Sequence, residues 1–276
     1  IGNGTMRDIT NTHNTTTLGY ATGLGLTSGE NNTFLGTFSG QSNTNASNNV
    51  YIGVSTGGAS TTKNNELNNV MIGNNSGFNT SGSNNLFSGN DCGSNTTLTT
   101  VDNSVFLGYK SGRLSSSSYS VFIGNYAGCN CSGNNSVNIG YAAGINSSNS
   151  SNNINIGYAA GSNSGSLNVA IGHETGRNGN GSADFNTFVG GSIARGNPLS
   201  GGQNTAMGYR SLFNVNTGAS NTTIGAESGC NITSGTRNTI MGNSAGDSIT
   251  IQNNNTIVGA NSASSNSIGN NNSIFG

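Results

Sequence analysis

The residues that could do chemistry are few and scattered. There are two histidines, His13 and His173, and nine acids: Asp8, Glu30, Glu66, Asp91, Asp102, Glu174, Asp184, Glu227 and Asp247. Cleavage of a glycosidic bond needs two carboxyl groups roughly 5–10 Å apart. The acids fall at unrelated places along the chain, so the sequence builds no such pair. His173 precedes Glu174, but neighbours on an extended chain point to opposite sides, which makes them a poor acid–base couple. Four cysteines, Cys92, Cys129, Cys131 and Cys230, carry no four-ligand zinc spacing. They are expected as free thiols or contacts between chains. Gly-rich stretches such as "GLGLTSG" lack the spacing and the lysine of a phosphate loop. The reading is of a chain that is not an enzyme and carries no metal or cofactor.

Charge excludes two further classes. Lys and Arg number 8, Asp and Glu 9, for a formal net charge of −1, and charged residues are 6% of the chain. The basic residues occur singly, so phosphate neutralisation has little to work with and no nucleic acid partner is expected. The longest apolar runs are a few residues, whereas a membrane-spanning helix needs about 20.

What positions these residues is a repeat. With 45 Gly, one Pro and abundant Asn, Ser and Thr, the chain has too little apolar material for an ordinary three-dimensional core. It also lacks the net charge and proline typical of disorder. Segments such as "NNTFLGTFSG" (31–40), "NNVYIGVSTG" (48–57) and "NNVMIGNNSG" (68–77) recur. Aligning the aliphatic-Gly step gives marks at Gly2, Gly19, Gly36, Gly53, Gly73, Gly89, Gly108, Gly124, Gly140, Gly157, Gly172, Gly190, Gly208, Gly225, Gly242, Gly259 and Gly276, most often 17 residues apart. A period near 17 is too short for helical hairpin repeats and suits one coil of a solenoid with two short strands.

The fold class read from this is all-β: a parallel β-solenoid, or β-roll, of about 16–17 short coils with about 17 residues per coil. The array fills 1–276 as a single domain and is expected to be a segment of a longer fibrous protein. At the ~4.8 Å interstrand spacing, the stacked coils would form a rod about 77 Å long.

Within each coil the residues three and one before the mark are β-branched or aliphatic, as in Thr33 and Leu35, and are expected to face inward together. The mark and a second Gly four residues later, as in Gly36 and Gly40, are expected at corners that need positive φ. Paired Asn before the strand are expected to stack as ladders along the axis. Two residues before the mark, on the other strand face, stand Phe34, Tyr51, Met71, Phe87, Phe106, Phe122, Phe188, Ile240, Ile257 and Ile274. Read as an outward column, they form an apolar stripe that another chain would cover, and they are the expected subunit interface.

The stretch "NTAMGYRSLFNVNTGASNTTIGAESGCNITSGTRNTIMGNSAG" (204–246) resembles repeats of phage and bacterial tail-fibre-type proteins and the head repeats of trimeric autotransporter adhesins. The resemblance spans essentially the whole chain through a motif of about ten residues, with coils near 17 residues instead of about 14 and irregular spacing between Gly53 and Gly108. It implies a left-handed β-roll and a homotrimer. It also implies an extracellular fibre on a virion or cell surface, with attachment to a surface glycan or receptor. The alternatives are a secreted self-assembling filament, an ice-binding solenoid, which would want a flat Thr array in every coil, and a polysaccharide-processing solenoid. Asn-X-Ser/Thr triplets at Asn14, Asn31, Asn95, Asn134 and Asn221 could carry glycans in a eukaryotic secretory host.

Overall fold

A computed structural model of the chain describes residues 2–6, 10–63, 65–148, 150–163, 165–177, 183–265 and 268–276. Asp8 lies outside the described residues. The described chain is all-β, without helix, and divides into two compact units, Ile1–Ser136 and Val137–Gly276.

The first unit holds β1 (Asn11–His13), β2 (Thr16–Leu18), β3 (Ser28–Glu30), β4 (Thr33–Leu35), β5 (Val50–Ile52), β6 (Val70–Ile72), β7 (Thr80–Ser81), β8 (Leu86–Ser88), β9 (Thr99–Thr100), β10 (Val105–Leu107) and β11 (Val121–Ile123). Its main sheet runs β2-β4-β5-β6-β8-β10-β11, all parallel, with each strand in register with the next. The second unit holds β12 (Val137–Ile139), β13 (Ile154–Ile156), β14 (Val169–Ile171), β15 (Thr187–Val189), β16 (Thr205–Met207), β17 (Thr222–Ile224), β18 (Thr239–Met241), β19 (Thr256–Val258) and β20 (Ser273–Phe275), paired parallel in chain order. Each unit is therefore a parallel β-solenoid, with one strand of the main sheet per coil ending at the mark glycine.

The second strand expected in each coil is mostly absent among the described residues. It survives as the pairs β1–β3 and β7–β9 and as isolated bridges such as Asn43↔Lys63. Elsewhere the Asn, Ser, Thr and Gly of that wall favour turns, and coils are joined there by local backbone bonds outside any strand, for example Ser200 N and Gly201 N to Asn216 O.

The mark glycines stack backbone on backbone. At Gly53 (φ 135°) a Cβ would lie 2.2 Å from the carbonyl oxygen of Gly73, the same position one coil on. No other residue fits there.

The inward face is the reverse of the expectation. Phe34, Tyr51, Met71, Phe87, Phe106, Phe122, Phe188, Ile240 and Ile257 are buried inside their own chain, and Ile274, on the last coil, packs half-buried against the same core. Val50, Val70 and Val121 are half-exposed, and Ile52, Ile72 and Ile123 are exposed. The cause is the narrowness of the coil, whose interior accepts one large side chain per level. In the first unit these chains form a ring stack: Phe87–Phe106 and Phe106–Phe122 have centroids 4.7 and 4.6 Å apart and nearly parallel planes.

The second corner glycine exists to admit that ring. A Cβ at Gly112 (φ 60°) would lie 2.3 Å from Phe106 Cδ2. Where the inward residue shrinks to Ala206, the corner six residues later becomes a buried Leu212 that fills the space. Where both are small, at Ala170 and Gly176, a small void remains, lined also by Phe188, Ala183 and Leu199.

The asparagine ladders form, and there are two. The outer Asn of each pair is left-handed (Asn31 φ 59°, Asn48 φ 59°, Asn68 φ 58°) and bonds amide to amide: Asn31 Nδ2 donates to Asn48 Oδ1, and Asn48 Nδ2 to Asn68 Oδ1, each at 3.2 Å. Asn tolerates that region better than other non-Gly residues. The inner Asn is buried. Asn238 N and Nδ2 both donate to Asn221 Oδ1 at 3.0 Å, while Asn238 Nδ2 also donates to Gln252 O at 2.8 Å.

Candidate functional site

With the rings inside, the outer sheet face is built by the residues three and one before each mark. In the first unit it runs through Val50 and Ile52, Val70 and Ile72, Val105 and Leu107, and Val121 and Ile123. In the second it runs from Val137 and Ile139 on β12 to Thr256 and Val258 on β19. Neither outward position on these strands is ever charged. Ile72 is 40% exposed and Met207 43%. A parallel sheet is normally covered on both faces, and here the outer face is left partly exposed in the single chain.

Next to this face, one residue past the mark, exposed aromatic side chains line up. Tyr141, Tyr158 and His173 are stacked at 5.3 and 5.1 Å with planes within 11°. Gly191 then interrupts the column before Tyr209. In the first unit Tyr109 and Tyr126 meet edge to face, with the Lys110 ammonium 4.8 Å from the Tyr109 ring centre.

From β15 to β19 the first outward position is an unbroken column of Thr187, Thr205, Thr222, Thr239 and Thr256, in direct register. This removes the ground on which threonine was read as inward.

The titratable residues are mostly occupied by ion pairs and caps. Glu174 and His173 come closer than expected, with Nδ1 3.8 Å from Oε2, because Glu174 is left-handed (φ 50°) in the corner turn and not on an extended strand. Glu174 is also held by Arg177 and by Arg195, whose Nε is 2.8 Å away. His13 lies 3.7 Å from Glu30, and Arg210 3.6 Å from Glu227. Asp102 and Asp184 accept backbone N–H groups of Ser83 and Ser166 in the next-lower coil. Among the described residues no group of three His, Cys, Asp or Glu could hold a metal ion.

All four cysteines are free. Burial pushes the Cys92 thiol up to about 12, and burial followed by the Asp247 carboxylate raises Cys230 to about 12. Burial likewise raises Cys129 and Cys131. None of these is an activated nucleophile.

The long coil from Gly89 to Gly108 opens a polar groove in the first unit. One part is lined by Asn75, Asp91, Asn95, Thr96 and Arg113, and its continuation by Thr97, Thr99, Ser116 and Asn130. Of the triplet asparagines, Asn221 is fully buried in the inner ladder and cannot bear a glycan in this fold, whereas Asn14 and Asn31 are exposed.

One cluster was missed in the sequence. Lys63 is fully buried, ion-paired at 3.2 Å with Glu66, which is also buried and accepts a 3.0 Å hydrogen bond from the Tyr51 hydroxyl. The signal was available: a charge in a chain with so few, placed where neighbouring coils carry Asn43 and Thr80.

Fold and surface together define the chain as a parallel β-solenoid repeat protein with an uncovered apolar sheet face. Neither a protein-family model nor a curated protein matches it.

Proposed function

We propose that the chain is a structural, adhesive fibre component of an extracellular surface, associating with further copies of itself through the outer face of its sheet. One observation carries this reading: the outward positions repeat in register, coil after coil, without a charge. A periodic, uncharged column on one chain matches the same column on another under rotation, so the natural cover is a second and third copy. The expected column of rings is not that surface. The partner positions move to Val50, Ile52, Val70, Ile72, Val121, Ile123 and their equivalents.

The resemblance to adhesin heads supports three copies and a place on a virion or cell surface. Polar side chains converge in the Asn95–Arg113 groove, which suits a surface glycan as ligand. The experiment is to place one charge on the face. Ile72→Lys and Ile123→Lys, each solvent-compatible in a single chain, are expected to shift the particle to single-chain size in light scattering while leaving the circular dichroism of the fold unchanged. Unchanged size in both variants rules the face out.

The threonine column favours a second reading, ice binding by the second unit. It is the weaker one, because the column ends at Thr187 and the adjacent rank holds Met207 and Met241, which roughen the face. Thermal hysteresis at micromolar chain would establish it; none would dismiss it.

A further inference from the structure

The outer surface leaves the interior cluster around Lys63 unused. A fully buried ammonium is rare, since desolvating one costs several kcal/mol unless it is well paired. Here Lys63 Nζ donates to the carbonyl oxygens of Gly57, Gly77 and Thr80 and pairs with Glu66 at 3.2 Å. Directly in register one coil before stands Asn43, equally buried. Its Nδ2 donates to the same Gly57 oxygen, at 3.2 Å, that Lys63 Nζ reaches at 3.2 Å. The amine and the carboxamide thus share one acceptor across adjacent coils. Among the described residues Asn43 Oδ1 has no hydrogen-bond partner, so the carbonyl end of that amide is left unbonded in a dry interior, a costly arrangement.

We propose that Lys63 and Asn43 are the reactants of an intramolecular isopeptide bond, with Glu66 as the proton carrier. The Lys63 ammonium gives a proton to the Glu66 carboxylate, leaving a neutral amine and a carboxylic acid. Nζ attacks Asn43 Cγ; the Nζ–Cγ bond forms and the carbonyl electron pair moves to Oδ1. Glu66 delivers its proton to Nδ2 and takes one from Nζ. The electron pair returns from Oδ1, the Cγ–Nδ2 bond breaks and ammonia leaves. One primary amide and one amine become one secondary amide and one ammonia, with no oxidant or cofactor.

The surroundings favour each step. Burial lowers the basicity of Lys63 and raises the Glu66 carboxyl, with their mutual attraction opposing both; the neutral pair is the form a dry interior prefers. The Tyr51 hydroxyl on Glu66 Oε2 leaves Oε1 directed at Nζ. The product abolishes a buried charge pair and ties two adjacent coils covalently across 20 residues of chain, where the main sheet supplies only three residues per coil.

The test is mass spectrometry of the full chain under denaturing conditions, followed by a tryptic map. The linked chain is lighter by the mass of one ammonia, and trypsin does not cut after Lys63, because an acylated lysine is not a substrate. No Lys or Arg lies between Asn43 and Lys63, so both stay on the tryptic peptide 8–110, and a further chymotryptic cut after Tyr51 then leaves a branched species joining the Asn43 and Lys63 segments. A lost ammonia alone does not suffice, since succinimide at an Asn-Gly step gives the same mass; the map decides. Glu66→Gln is expected to give the full unlinked mass with cleavage after Lys63 restored, as is Asn43→Ala. Wild-type chain of full mass that trypsin cuts after Lys63 overturns the proposal. So does a Lys63–Glu66 link, read as loss of water confined to the segment after Tyr51 that holds both residues. Both readings come from wild-type material and do not depend on a variant folding.

Discussion

Position Gly112 shows how tightly a single residue is set in this chain. Its φ of 60° and the Phe106 ring 2.3 Å from any Cβ leave no freedom for a side chain. The same coupling appears inverted at Ala206 and Leu212, where the bulk has moved from strand to corner. Leu212 does this at a left-handed φ of 54°, a conformation costing about 1–2 kcal/mol in a residue other than Gly. Ala206→Phe alone is expected to lose about 2 kcal/mol or more by overpacking, and Leu212→Gly a similar amount by cavity formation. The double variant restores the arrangement found at Phe106 and Gly112 and is expected to recover most of the sum. A chemical-denaturation cycle measures this, and strictly additive losses would refute the shared space.

A second residue-scale expectation concerns Cys92. Its folded thiol stays protonated up to about 12, whereas the unfolded thiol ionises near the ordinary value of 9.0. The native state therefore holds the extra proton between those values, and stability falls as pH rises through that window, by up to about 1.4 kcal/mol per pH unit for one such thiol. Denaturation midpoints from pH 8 to 11 should decline more steeply in wild type than in Cys92→Ala. Parallel curves would contradict it.

At the scale of the element, the common coil is one three-residue strand, two glycine corners and an asparagine pair, with replacements such as Leu212 at a corner and Tyr119 and Ser120 at the pair. The strands are too short to hold themselves, so the ladders matter. Asn221 donates Nδ2 to Asn204 Oδ1 and Gly235 O, and accepts from Asn238 N and Nδ2, all within 3.1 Å and all buried. Asn221→Ala leaves several of these groups unpaired and is expected to cost about 2–4 kcal/mol, at about 1–3 kcal/mol per orphaned buried group. Removing the exposed amide at Asn68 is expected to cost far less. A comparison of thermal midpoints tests the contrast, and equal losses would place the ladder's contribution elsewhere.

This is also where the sequence proved readable and where it did not. The period, the strand positions, the corner glycines and the ladders follow from local chemistry that each coil repeats. The direction of the strand faces does not, because in a strand of three residues both parities are apolar: Val50 and Ile52 on one side, Tyr51 on the other. The decision lies in volume, since the corner must make room for the inward residue. The pairing of Ala206 with Leu212 against Phe106 with Gly112 encoded it. The Lys63–Glu66 cluster was marked by the rarity of charge in this chain, but that the pair is buried depends on which coil stacks on which wall.

At the scale of the whole molecule, both units repeat one plan: a filled interior under a sheet whose outer face has no cover. The apolar face is the feature that single-chain folding leaves unsatisfied, since burying it would stabilise by about 25 cal/mol per Å² of apolar area, and the chain repeats it through both units. The proposed fibre role and self-association rest on that face. Sedimentation equilibrium of the wild-type chain over a broad concentration range tests it most directly. Self-association through the sheet face requires a particle of integral multiple mass, three chains by the resemblance to adhesin heads, that falls to the 27.7 kDa chain mass on Ile72→Lys. A wild-type particle that keeps the single-chain mass at every concentration would contradict it.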